Sequence, residues 1–127
     1  MHDDHPVLKD EQHERPVPTV WRSTLAKVVT SIATRDASIG TGISGVHPVP
    51  DQDAKRITAN IKAYGDELVP LPEDSWSTSI YQWSNGFWEV LVDLFTANEG
   101  ASDLVMFVRV YEQSDGYSYE IHDIHVP

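Results

Sequence analysis

Residues 87–112 read FWEVLVDLFTANEGASDLVMFVRVYE, two apolar runs on either side of a short polar turn. Alternation with a period of two sends successive side chains to opposite faces of a strand, so the pattern predicts a β-hairpin. One set of positions is apolar throughout: Trp88, Val90, Val92 and Leu94, with Leu104, Met106, Val108 and Val110. Burying each large side chain of this kind contributes on the order of 1.5–3 kcal/mol, ample to hold the register. The opposite set differs. Phe87, Glu89, Leu91, Asp93 and Phe95 face Val105, Phe107, Arg109 and Tyr111, mixing charge with aromatic rings. A turn centred on Asn98-Glu99-Gly100 sets Glu89 opposite Arg109, and a cross-strand ion pair there is worth about 0.2–1 kcal/mol.

Two further strands flank this hairpin, at about 77–83 and 117–125, joined to it by short polar turns. Short links between consecutive strands predict an antiparallel meander of four strands. In the last strand Tyr119 and Ile121 turn inward, which leaves Glu120 and His122 on the mixed face near Arg109 and Phe107. Tyr81 or Trp83 is expected to add an aromatic to that face from the first strand. Upstream, Trp21, Leu25, Val28, Val29 and Ile32 form one apolar stripe at helical spacing, with Thr19 as the expected N-cap and an end near Thr34. Asp51 is expected to cap a second helix whose buried side carries Ala54, Ile57, Ile61 and Tyr64 and which stops at Gly65. Residues 67–74, ELVPLPED, are too rich in proline for a helix or central strand and predict an extended crossing. The expected fold is α+β, two N-terminal helices packed on one face of the four-stranded sheet.

At 127 residues the chain is long enough for one domain and too short for two. Residues 1–18 combine charge, three histidines and three prolines with almost nothing apolar, which reads as a flexible tail ahead of a domain over 19–127. The absence of cysteine excludes disulfides, thiolate metal sites and a thiol nucleophile. No apolar run approaches the roughly 20 residues of a membrane span, so a cytoplasmic protein without a membrane partner is the expectation. Twenty acidic against nine basic residues give a net charge of −11. Such a surface repels phosphate backbones, which argues against nucleic acid, and suits a basic protein partner. A homodimer through the open sheet face is a further expectation.

Most strings that suggest chemistry fail on context. Gly40-Thr-Gly42-Ile-Ser-Gly45 matches G-x-G-x-x-G, but a helix precedes it and Val46-His-Pro-Val-Pro50 follows, so it reads as a loop without a nucleotide. His2, Asp3, Asp4 and His5 sit in the tail and could grip a metal only weakly, so no metal or other cofactor is expected. His122 and His125 are three apart, which on a regular strand points them to opposite faces. Glu89 and Asp93 share a face but lie roughly 13 Å apart along it, too far for a shared-proton pair. No serine occupies a nucleophile turn, and no catalytic residue is assigned. Glu120 and His122, two apart on one face near Arg109 and Tyr111, form the single constellation suited to acid–base work.

The segments YGDELVPLPEDSW, WEVLVDLFTANEGASDLVMFVRVYE and YEIHDIHVP resemble a family of small uncharacterised bacterial domains over about residues 46–127. That resemblance supports the order of elements and implies no activity. In class, small acidic domains of this layout resemble immunity proteins that neutralise secreted toxins; a looser likeness is to cystatin-like or NTF2-like folds. The expectation is a non-enzymatic, immunity- or antitoxin-like protein that masks a basic toxin domain. Its partner-binding residues are then Glu89, Asp93, Phe107, Arg109, Tyr111, Glu120 and His122. The alternative is a small-molecule binding or hydrolytic domain using Glu120 and His122 with Arg109 and Tyr111.

Overall fold

A computed structural model of the chain describes residues 5–34 and 39–127. In chain order the elements are β1 (Arg15–Pro16), α1 (Thr19–Ala33), α2 (Asp51–Tyr64), a 3-10 helix (Glu73–Ser77), β2 (Ile80–Ser84), β3 (Phe87–Thr96), β4 (Gly100–Gln113) and β5 (Gly116–His125). The sheet is antiparallel with spatial order β1-β2-β3-β4-β5. The meander and both helices follow the expected α+β plan. A fifth, two-residue strand is added at the edge, where Arg15 lies opposite Tyr81 and Pro16 opposite Ile80. The charged composition around β1 hides it from a hydrophobic pattern.

The all-apolar set of β3 and β4 is the core face, and each of its eight side chains is at most 2 % exposed. Trp21, Leu25, Val28 and Val29 of α1 are fully buried against it. Trp21 is the hub of an aromatic cluster, its ring 5.3 Å from Tyr81, 5.3 Å from Trp88 and 5.6 Å from Tyr117. Tyr81 and Trp83 therefore belong to the core side, and Trp83 meets Trp88 at 4.9 Å. The expectation of an aromatic from this strand on the other face is corrected. The hairpin pairs Trp83 with Trp88, and Ile80 and Gln82 point outward instead.

Residues 5–18 lie against the sheet, unlike the tail that their composition suggests. Val17 is fully buried and Val7 packs on the core. Their polar backbone meets polar tips of the aromatic cluster: Tyr81 Oη donates to Pro6 O (3.1 Å) and accepts from Leu8 N–H (2.9 Å), and Trp88 Nε1–H donates to Leu8 O (3.0 Å). Buried Tyr and Trp need such partners, and this segment supplies them. His2, Asp3 and Asp4 lie outside the described residues; His5 donates its backbone N–H to the Thr19 hydroxyl at 3.0 Å.

Both helices are capped one residue before the expected positions. Pro18 and Pro50 hold the N-cap positions without a side-chain hydrogen bond, which places Thr19 and Asp51 inside the first turn. Asp51 and Asp53 there still favour the positive end of the helix dipole. Gly65 closes α2 in the left-handed conformation, φ 87°, as expected. Of the expected stripe on α2 only Ile57 is fully buried, because this helix runs beside the β5 edge and not across the face. Its Arg56 and Asn60 reach the free carbonyls of His122 and Ile124, both at 3.0 Å. Nearer the start of β5, Gly45 O and His47 N–H pair with Tyr119, each at 2.9 Å. The outer edge of β5 is thereby covered, which blocks edge-to-edge pairing. The ELVPLP crossing forms an isolated bridge from Leu68 to Thr96, and Asp66 accepts from the N–H groups of Asn98 (3.1 Å) and Glu99 (3.2 Å) to hold the β3–β4 turn.

Truncating Trp21 to Ala is expected to cost about 3–5 kcal/mol, read as a shift of the urea midpoint. A loss below about 1 kcal/mol would separate the N-terminal region from the core.

Candidate functional site

The second face of the sheet is the candidate site. Phe87, Leu91, Phe95, Phe107, Arg109 and Tyr111 are all half-buried there, and Glu89 is exposed. The register places Glu89 opposite Arg109 as expected, and Arg109 opposite Glu120 on the other side. The expected ion pair does not form among the described residues. Arg109 instead lays its guanidinium over the Phe87 ring, 4.6 Å from the centroid, and that ring in turn leans on Tyr111 at 5.7 Å. A cation over an aromatic face is worth about 0.5–1 kcal/mol at such a site, comparable to an exposed ion pair.

The local structure of β5 decides what else reaches this face. Val108 pairs with Ile121, but Phe107 pairs with Asp123, so His122 is an extra residue with no partner in β4. A bulge of this kind lets two consecutive residues share a face. Ile121 and Ile124 remain buried on the core side, whereas His122, Asp123 and His125 are half-buried and border one outer-face cleft. The expectation that His122 and His125 point to opposite faces is thus corrected: the bulge adds one residue to the count between them.

Each histidine is held by a carboxylate. His122 Nε2 lies 2.7 Å from Glu120 Oε1, which also accepts from Tyr111 Oη at 3.2 Å. His125 Nδ1 lies 2.8 Å from Asp123 Oδ2, and its ring stacks on Phe107 with centroids 4.4 Å apart and planes 18° from parallel. Asp123 is used from two more directions, by Arg56 Nε at 3.3 Å and by Ile124 N–H at 2.9 Å. Arg56 also meets Asp53 at 2.8 Å, so α2 fixes the position of this corner.

These contacts set the charge states. Burial is the largest single influence on Glu120 and pushes its pKa up, but hydrogen bonds from His122 and Tyr111 and the charges of His122 and His47 outweigh it, leaving it below 4.5. Asp123 follows the same pattern, with burial overcome by His125, the Ile124 N–H and Arg56, and settles below 3.8. Both carboxylates are ionised at neutral pH and orient their imidazoles.

Four of the expected residues, Glu89, Phe107, Arg109 and His122, border a single open cleft of about 380 Å³. Tyr111 and Glu120 border a neighbouring depression with His47 and Trp83. Asp93 lies outside both. Its backbone is tied to Ser75 Oγ (2.6 Å) and Ser79 Oγ (2.9 Å) just ahead of the start of β2, which gives it a structural setting. Arg56, Asp123 and His125 were missed, because Arg56 arrives from a distant helix and the other two depend on the bulge. Among the described residues, no three His, Asp or Glu side chains are arranged to hold a metal ion.

Fold and site together define a small α+β domain with one apolar sheet face in the core and a second, polar–aromatic face open. The chain belongs to the family described as a domain of unknown function, DUF7668, whose model matches residues 29–127. The match starts well before residue 46, where the sequence resemblance was expected to begin, and takes in the last third of α1. No curated protein and no solved structure matches the chain at a significant level. No helix among the described residues is long and apolar enough to cross a membrane.

Because Glu120 and Asp123 have folded pKa values below the ordinary 4.5 and 3.8, each contributes stability above those values. That contribution is lost as pH falls through the lower folded values. A Glu120→Gln/Asp123→Asn variant is expected to lose less stability than the wild type on acidification from pH about 6 to 3. Parallel urea titrations at each pH check this, and identical acid limbs would contradict it.

Proposed function

We propose that this chain is a non-catalytic ligand-binding domain and that the outer-face cleft is its binding site. The observation that carries the reading is the concave cleft of about 380 Å³, floored by Leu91 and Phe107 and ringed by Arg56, Arg109, His122 and His125. An apolar floor with a few convergent polar groups is the usual make-up of a small-molecule site, and the volume lies within the usual range of about 300–1,000 Å³. The binding reading is preferred to a hydrolytic one. Both imidazoles are engaged by carboxylates, and neither has a hydroxyl hydrogen-bonded to it among the described residues. His122 and His125 then serve as oriented polar contacts.

A basic protein partner is the second reading, favoured by the net charge of −11 and by Glu89 exposed beside half-buried aromatic rings. In that case the chain masks a basic domain, as an immunity or antitoxin-like protein would. Steering by net charge predicts association that slows steeply with salt and weakens on Glu89→Lys.

A thermal-shift screen of small organic molecules tests the first reading. A ligand at about 100 times its Kd adds roughly 2.7 kcal/mol, which raises Tm by several degrees in a domain of this size. Compounds that stabilise the wild type are expected to lose their effect on Phe107→Glu. A screen in which no compound separates the two proteins would contradict the reading.

A further inference from the structure

The largest hydrogen-bonding capacity left over in the cleft is that of a donor, Arg109. Asp123 is engaged through both oxygens, one by His125 and the other by Arg56 and the Ile124 N–H. Each histidine donates one ring N–H to its carboxylate, leaving His122 Nδ1 and His125 Nε2 without a hydrogen bond among the described residues, acceptors in the neutral ring and donors in the imidazolium. Arg109 makes no hydrogen bond or ion pair there, only its contact with Phe87. A guanidinium carries five N–H donors and no acceptor, in a fork that fits carboxylate and phosphate oxygens. A half-buried arginine with that capacity unused is an unusual resource in a protein with 20 acidic and nine basic residues.

Resting on the ligand-binding reading above, we propose that the cleft binds an organic anion: a carboxylate or phosphate group carried on a planar apolar body. Arg109 is the principal contact to the anionic group, and His122 and His125 add donors to it in their imidazolium form. The planar body lies on the platform formed by Phe107 and the His125 ring stacked on it. Offset stacking on such a surface adds to what burial of apolar area alone supplies. The chain's overall negative charge opposes an anion at long range, but at 0.1 M salt charges more than about 10 Å away are largely screened. Contact donors therefore decide binding. Glu89, opposite Arg109 on the rim, is the one carboxylate of the cleft with no partner among the described residues, and it competes with the ligand for the guanidinium.

Heteronuclear NMR titration of the full chain with four matched probes tests the proposal: benzoate, phenyl phosphate, benzamide and benzylammonium. Benzoate or phenyl phosphate is expected to shift the Arg109 side-chain N–H and the rings of His122 and His125, and the stronger of the two identifies the anionic group. Arg109→Gln should weaken that binding about tenfold or more, as expected for loss of a charge-assisted contact. Glu89→Gln should strengthen it. Benzamide or benzylammonium binding the same residues as tightly would overturn the anion assignment and leave the ligand-binding reading standing. Weaker binding of the anions by Glu89→Gln would likewise overturn it. If no probe shifts any cleft resonance, the anion assignment and the ligand-binding reading fall together.

Discussion

One extra residue in β5 determines the character of the open face. Strands hold their side chains to a strict alternation, and the apolar set of β4 needs Tyr119, Ile121 and Ile124 on the core side. Ile121 and Ile124 are separated by an odd number of positions, so both can be buried only if the strand takes up one residue between them. Burial of two isoleucines, about 1.5–3 kcal/mol each, far exceeds what a single disturbed ladder position costs. The core thus enforces the bulge, and the bulge delivers His122 and Asp123 to the same face as His125. The polar cluster follows from the packing on the opposite side of the sheet.

The rest of the site is built around that cluster. Arg56 reaches it because α2 runs along the β5 edge, where Ile57 is buried and Asn60 satisfies the Ile124 carbonyl. Edge protection and site assembly are therefore the same set of contacts. The opposite edge is managed by residues 5–18, which satisfy the polar tips of Tyr81 and Trp88, and none of these residues borders the cleft. The cleft therefore keeps Arg109 as an uncommitted donor beside the unpaired Glu89 carboxylate among the described residues.

Much of the fold was legible in the sequence. The β3–β4 register, the eight-residue core set, both helices and the Gly65 stop all come from strong periodicity or from one residue with a special conformation. What could not be read has a common cause: it depends on contacts between distant segments. β1 is two residues long and charged, and exists because the aromatic cluster gives its neighbours hydrogen-bond partners. The caps were misplaced because proline at the N-cap, φ −58° and −57°, substitutes for a side-chain cap. For the site, Glu89, Phe107, Arg109 and His122 were found from alternation alone. Asp123 and His125 were not, although the Ile121–Ile124 spacing contained the signal: two apolar residues three apart on a strand imply a bulge if both are core.

The most direct measurement is the set of cross-strand nuclear Overhauser contacts between β4 and β5. With the bulge in place, Val108 shows backbone contacts to Ile121 and Phe107 to Asp123, skipping His122, with ring contacts between His125 and Phe107. A regular ladder, with Phe107 opposite His122 and Met106 opposite Asp123, would contradict the account, because His122 and His125 would then lie on opposite faces.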